Sequence, residues 1–309
     1  MTSRDRVLTT LRRQAPDRVP HNLRPAPAMV NRLREETGAT DFAEHFGHDV
    51  RYVGAAFPAD TTAELPVEER QLPQPQADAW QAVAAQVAEL HERGLAVCGG
   101  YACGVFEQAK HWRGEAQTLT DMYENPSLLS RVLDTLTEGK SAIHTGYARA
   151  GVDIVWMGDE LGTQRSLVMS PQHYRQWYRP RHAEIVRSIR QANPNAFIAF
   201  HCCGHVTPLI PDLIDLGIDC LEAVQAEAMD IVELKRRFGR DLSFWGGVGA
   251  QSVLARPTPE AVKEGVRWTL EVMSPGGGYV AAPCHTLTEE VPWENVIAFH
   301  DAVREFNEA

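Results

Sequence analysis

His201 stands two residues before Cys203 in AFIAFHCCGH, and Cys284 comes much later in GGGYVAAPCH. One imidazole and two thiolates form a soft donor set that suits Zn²⁺. Three protein ligands leave a fourth position open, the arrangement of a catalytic rather than a scaffolding ion. Such an ion would hold a substrate thiol as the nucleophilic thiolate, polarise a substrate oxygen or generate hydroxide. A histidine two before a cysteine occurs by chance in many chains. The weight comes from all three residues falling at the ends of expected strands. Cys202 alternates with Cys203 and should point away. Cys98, Cys103 and Cys220 read as core thiols. Six cysteines in 309 residues are too few for a disulfide scaffold.

Carboxylates and amides stand at similar positions. Asp159, Glu160 and Gln164 follow a strand directly in GDELGTQ. A carboxylate there could serve as general acid or base, orient substrate or take the fourth metal position. Capping the following helix is the alternative, and the spacing does not choose between Asp159 and Glu160. Glu222 and Gln225, after the next strand but one, and Tyr101, after the run at Leu95, are candidates for binding substrate. His205 either backs a ligand or opens a helix. The glycines at 246–247 and 276–278 match neither a P-loop nor a dinucleotide fingerprint and read as turns.

These residues need a scaffold that gathers strand ends. Short apolar runs recur at Leu95, Val152, Ala196, Ile218, Leu242 and Gly278, with weaker ones at Arg18 and Val50. They lack strict alternation, as strands buried on both faces do. Helical periodicity fills 126–149, 171–191, 206–216, 231–238, 259–272 and 292–306, and Ser170-Pro171 and Thr258-Pro259 are start signals. Strands alternating with helices mean parallel βαβ units. Eight such strands predict a single (β/α)₈ TIM barrel over residues 1–309, with an N-terminal extension. An open doubly wound sheet is the competing architecture. Residues 57–80, rich in Pro, Asp and Glu, predict a long loop leading into a helix over 81–93.

Composition limits the partners. With 30 basic and 41 acidic side chains the formal charge is −11, which argues against a nucleic-acid or anionic-membrane surface. No apolar run approaches the ~20 residues of a membrane span, and no apolar segment follows the first arginines as in a signal peptide. The expectation is a cytoplasmic protein acting on a small molecule. Its outer helices could pair two copies as a homodimer.

The stretches AFIAFHCCGHVTPLIPDLIDLGIDCLEAVQ, FWGGVGAQSVL and GGGYVAAPCH resemble the uroporphyrinogen decarboxylase superfamily. The zinc-dependent methylcobamide:thiol methyltransferases and corrinoid-linked demethylases are the nearer likeness. APDRVPHNL, GVFEQAKHWRG and GDELGTQRSLVMSPQHYRQWY are similar as well, so the resemblance runs from about Val7 to Phe306. It implies a single barrel, and a metal held by His201 and Cys203 (the H-x-C-G motif, with Gly204) and by Cys284. It further implies methyl transfer between a small thiol or methylated substrate and a corrinoid, which comes free or on a partner protein. Uroporphyrinogen decarboxylases carry an arginine-rich N-terminal motif, whereas VPHNLRPAP offers only Arg24, which argues against that activity. Glu89-Leu-His91 comes close to a corrinoid-holding motif but lies in a helical run, so no corrinoid-binding domain is expected here. The rival readings are a zinc lyase or hydrolase on the same barrel, and a non-catalytic zinc-binding protein.

Overall fold

The computed structural model describes residues 1–100 and 103–309. Among the described residues seven strands pair in sequence order in one all-parallel sheet: β1 (Val50–Val53), β2 (Ala96–Gly100), β3 (Ile154–Gly158), β4 (Phe197–His201), β5 (Cys220–Val224), β6 (Ser243–Val248) and β7 (Tyr279–Pro283). Every residue of β5, β6 and β7 is buried, which is why their apolar runs are continuous. Helices fill the intervals, among them Pro126–Arg149, Arg179–Ala192, Ile231–Phe238, Pro259–Met273 and Trp293–Glu308. The expected loop is there, but it runs to residue 76 and carries a short 3₁₀ turn at Val67–Glu69; the helix after it begins at Ala77.

The expected eighth strand at Arg18 is not regular. His21 makes a single parallel bridge to Ala281, and Pro25 another to Leu287. The Asn22 amide donates to the Ala281 carbonyl at 3.1 Å and the Ala281 amide to Pro20 at 2.9 Å; on the other side Asp49 donates to His21 at 3.0 Å. Prolines at 20 and 25 remove two ladder donors, so the pairing stays as isolated bridges. The segment lies between β7 and the residue before β1.

Two apolar cores follow from the alternation of strand side chains. The larger lies between sheet and helices. The smaller is lined by Val50, Cys98, Ile154, Ala199, Cys220, Trp245 and Val280, and is stopped by Val7 and Leu11. These two belong to the helix Ser3–Leu11, where a capping box between Thr2 and Asp5 fixes the first turn. Cys98 and Cys220 are thus core residues, as expected, and Cys202 lies in the outer core.

Candidate metal centre

Register places the chemistry. His201 ends β4 directly beside Gly158 of β3 and Glu222 of β5. Pairing continues past the strands, since the Asp159 amide donates to the His201 carbonyl at 2.9 Å and Cys202 to Glu222 at 3.0 Å. Beyond that point two turns lock together. Gly204 has φ +76° and a side chain there would strike Gly162 at 2.6 Å, while one on Gly162 would strike the His205 nitrogen at 2.8 Å. The His205 amide crosses to the Thr163 carbonyl at 2.7 Å. Only glycine permits this approach, which brings Glu160 over His201.

Glu160, His201 and Cys203 place three ligand atoms within 4.8 Å of one another. His201 Nε2 lies 3.2 Å from Glu160 Oε1 and 3.6 Å from Cys203 Sγ. On its other side Nδ1 donates to Glu222 Oε2 at 2.5 Å, and the Trp156 indole donates to the same oxygen at 2.8 Å. Arg24 faces the second Glu222 oxygen at 3.6 Å and stacks on Trp156. Burial disfavours a charged imidazole, but the Glu222 charge and the bonds to Cys203, Glu160 and Glu222 outweigh it and hold His201 well above its ordinary pKa. Burial likewise works to raise Glu222, and His201, Arg24 and Trp156 bring it down to about 2.

Cys284 is not part of this trio. Its Sγ accepts the Ala250 amide at 3.3 Å and lies 3.6 Å from Glu227 Oε2. Burial pushes its thiol up to about 12, with the Glu227 charge adding to the effect. Cys284, Cys203 and Glu160 nevertheless line one cavity of about 600 Å³, with Gln225, Glu227 and Gln251.

The remaining candidates divide. Asp159 is fully buried and turned away: its oxygens accept the Phe106 and Glu107 amides at 2.7 and 2.8 Å, and His182 Nε2 lies at 3.2 Å. It holds the first turn of the helix Val105–Arg113, the capping role applied to a helix earlier in the chain than the one expected. Glu222 backs the histidine. Gln225 lines the cavity and also accepts the Gly204 amide at 2.9 Å. Gln164 lies on the exposed rim, bonded to Gln251 at 3.1 Å. His205 donates from Nδ1 to the Ala228 carbonyl at 3.0 Å. Tyr101 lies outside the described residues. Glu227 was not anticipated. Its Oε1 accepts the amides of Gln251 and Ser252 and the Ser252 hydroxyl, each at 2.9 Å. Nothing in the sequence marked it, because it sits in a loop past the end of β5.

The donor set fits Zn²⁺: an imidazole nitrogen whose partner nitrogen is fixed by a carboxylate, a thiol and a carboxylate, with a second thiol across the cavity. The proton on Nε2 is held by the same groups that would coordinate an ion.

The fold is a parallel α/β sheet whose strand ends gather histidine, cysteine and glutamate. The family model described as uroporphyrinogen decarboxylase (URO-D) matches residues 42–306, and the chain belongs to that family. The chain is similar to the methylcobamide:CoM methyltransferase MtaA of Methanosarcina barkeri, 26% identical over 187 residues, 60% of this chain and 50% of that protein. It is comparably similar to the uroporphyrinogen decarboxylase of Methylococcus capsulatus, 28% identical over 189 residues, 61% of this chain and 51% of that one. The matched region thus spans about half the length of these curated relatives. A solved methyltransferase from Methanosarcina mazei shares the fold, with a TM-score of 0.73, 21% identity and 99% coverage of both chains. No helix among the described residues is long and apolar enough to cross a membrane.

Proposed function

We propose that this protein is a zinc-dependent methyltransferase that moves a methyl group between a small substrate and a corrinoid. The observation that carries the reading is the strand-end cluster of Glu160, His201 and Cys203, of which Glu160 and Cys203 line one cavity with Cys284. The likeness to MtaA, named for methyl transfer from a methylcobamide, supports it. Residues 20–25 between β7 and β1 would complete the (β/α)₈ barrel, with the cavity at its mouth.

His201, Cys203 and Cys284 would hold the ion, with Glu160 beside them. When bound, Zn²⁺ supplies a Lewis acid that lowers the pKa of a coordinated thiol. Glu222 keeps His201 oriented with Nε2 toward Glu160 and Cys203. Glu160, 3.2 Å from His201 Nε2, is placed to accept the substrate's thiol proton or to return one in the demethylating direction. Gln225 and Gln251 offer hydrogen bonds to the substrate, and the corrinoid would come free or on a separate cytoplasmic protein. The like-fold alternative, decarboxylation of a porphyrinogen, is disfavoured because Arg24 is the one arginine in VPHNLRPAP and is already engaged by Glu222 and Trp156.

Two measurements test this. Metal-free protein loaded with Co²⁺ should show thiolate-to-cobalt absorption, weakened by Cys284→Ser and abolished by the Cys203→Ser, Cys284→Ser pair. Zinc-loaded protein should move a methyl group from methylcobalamin to a small thiol, and Cys203→Ser and Cys284→Ser should each lose that activity. An intact thiolate band in Cys284→Ser removes that ligand from the site. No thiolate band in the wild type overturns the reading.

A further inference from the structure

A second cluster of metal-ligand type lies outside the cavity just described. His21, from the segment beside β7, His48, just before β1, and His300, from the helix Trp293–Glu308, bring three ring nitrogens within 4.8 Å of one another. They are 8%, 1% and 9% exposed. A neutral imidazole offers one N–H donor and one lone pair, and the lone pair is what binds a metal.

The hydrogen bonds assign those protons. His300 Nδ1 donates to the Val296 carbonyl at 2.8 Å, so its Nε2 carries the lone pair. His21 Nε2 donates to the Phe46 carbonyl at 3.2 Å. His21 Nδ1 is buried and faces Asp49 Oδ2 at 3.6 Å. His48 Nε2 points at His300 Nε2 at 3.0 Å, and its own Nδ1 is buried without a partner. One proton serves the His48–His300 contact. A cation would accept all three rings at once. Backbone carbonyls already hold two of the rings, as outer partners do around metal-bound histidines. Phe46 stacks flat on His300, with ring centroids 3.8 Å apart, and holds that ring in place. His21 and His300 border a cavity of about 580 Å³ that leads to solvent, giving an ion a way in and an open fourth position.

We infer that His21, His48 and His300 form a second metal site, for a divalent late transition ion such as Zn²⁺ or Co²⁺. Imidazole donors without thiolate select that class. The site joins the segment 18–25, the approach to β1 and the last helix, so a bound ion stabilises the fold where the first and last parts of the chain meet.

The test uses the full-length protein with Co²⁺ as probe. A His201→Ala, Cys203→Ala, Cys284→Ala variant removes the strand-end donors. It should still bind one Co²⁺ per chain by equilibrium dialysis, show no thiolate-to-cobalt band, and melt at a higher temperature with the ion than without. Adding His300→Gln or, separately, His48→Gln should abolish that binding, with circular dichroism reporting the fold. Failure of the triple variant to bind Co²⁺, or binding that survives both histidine changes, overturns the inference. Should either histidine variant not fold, the triple variant's binding and His21→Gln decide it. The strand-end reading fails separately, through absence of a thiolate band in the wild type.

Discussion

Asp159 and Glu160 are neighbours in sequence with opposite fates. Asp159 spends both oxygens on backbone amides inside the protein, while Glu160 reaches the histidine. Asp159→Asn replaces one acceptor by a donor against a buried N–H and should cost roughly 1–3 kcal/mol of stability. Glu160→Gln, partly exposed, should stay within about 0.5 kcal/mol of the wild type and weaken metal binding instead. Thermal unfolding and a metal titration on both variants check this; a destabilised Glu160→Gln beside a neutral Asp159→Asn would reverse the assignment. The strand-end positions of His201, Cys203 and Cys284 were legible in the sequence because short apolar runs mark where β4 and β7 end. Which of two adjacent carboxylates turns inward was not legible, since it depends on how the GDELGTQ turn packs on the HCCG turn. His48 and His300 carried no signal because nothing in the chain says that the approach to one strand meets the last helix.

At the scale of elements, β5 shows how the sheet adjusts to the site. The pairing of β5 with β6 shifts register between Glu222 and Val224, and Ala223 at the bulge has φ +61°. This places an L-residue in the left-handed region, where only glycine is at ease. Gly246 on β6 meets it, with φ +118° and room for no side chain beside the Val224 nitrogen. The bulge re-aims the end of β5, where Glu222 must reach His201. Ala223→Val should therefore cost about 1–3 kcal/mol and weaken metal binding together, whereas Ala223→Gly should leave both near wild type. Denaturant unfolding with a Co²⁺ titration measures the pair; unchanged metal affinity in Ala223→Val would separate the bulge from the site. The strands themselves were legible from β-branched runs, and the helices over 126–149 and 231–238 have the expected bounds. The helices Ser3–Leu11, Val105–Arg113 and Glu115–Glu124 were not foreseen. The first buries only Val7 and Leu11 among its apolar side chains, too few to give a periodic signal.

For the molecule as a whole, stability should depend on pH through a buried cation that the mechanism does not use. Lys140, on the helix Pro126–Arg149, is fully buried, and its ammonium donates to the Cys103 carbonyl at 2.6 Å. Burial lowers its pKa from 10.5 to about 8, and the partial compensation from Cys103, Asp159 and Glu107 does not restore it. The sign follows from proton counting. Below about pH 8 both folded and unfolded chains carry the proton, and the folded one bears the full cost of burying it. Between about 8 and 10.5 the unfolded chain binds the proton and the folded chain does not, so stability rises with pH across that window. Lys140→Met has no proton to lose. The stability of the wild type relative to this variant should therefore increase by about 3 kcal/mol from pH 7 to pH 10.5. Taking the difference cancels tyrosines and other groups that titrate in both proteins. Urea unfolding at the two pH values measures it. A difference that stays flat would mean that the folded protein carries Lys140 charged at no cost, with its neighbours fully replacing the lost water.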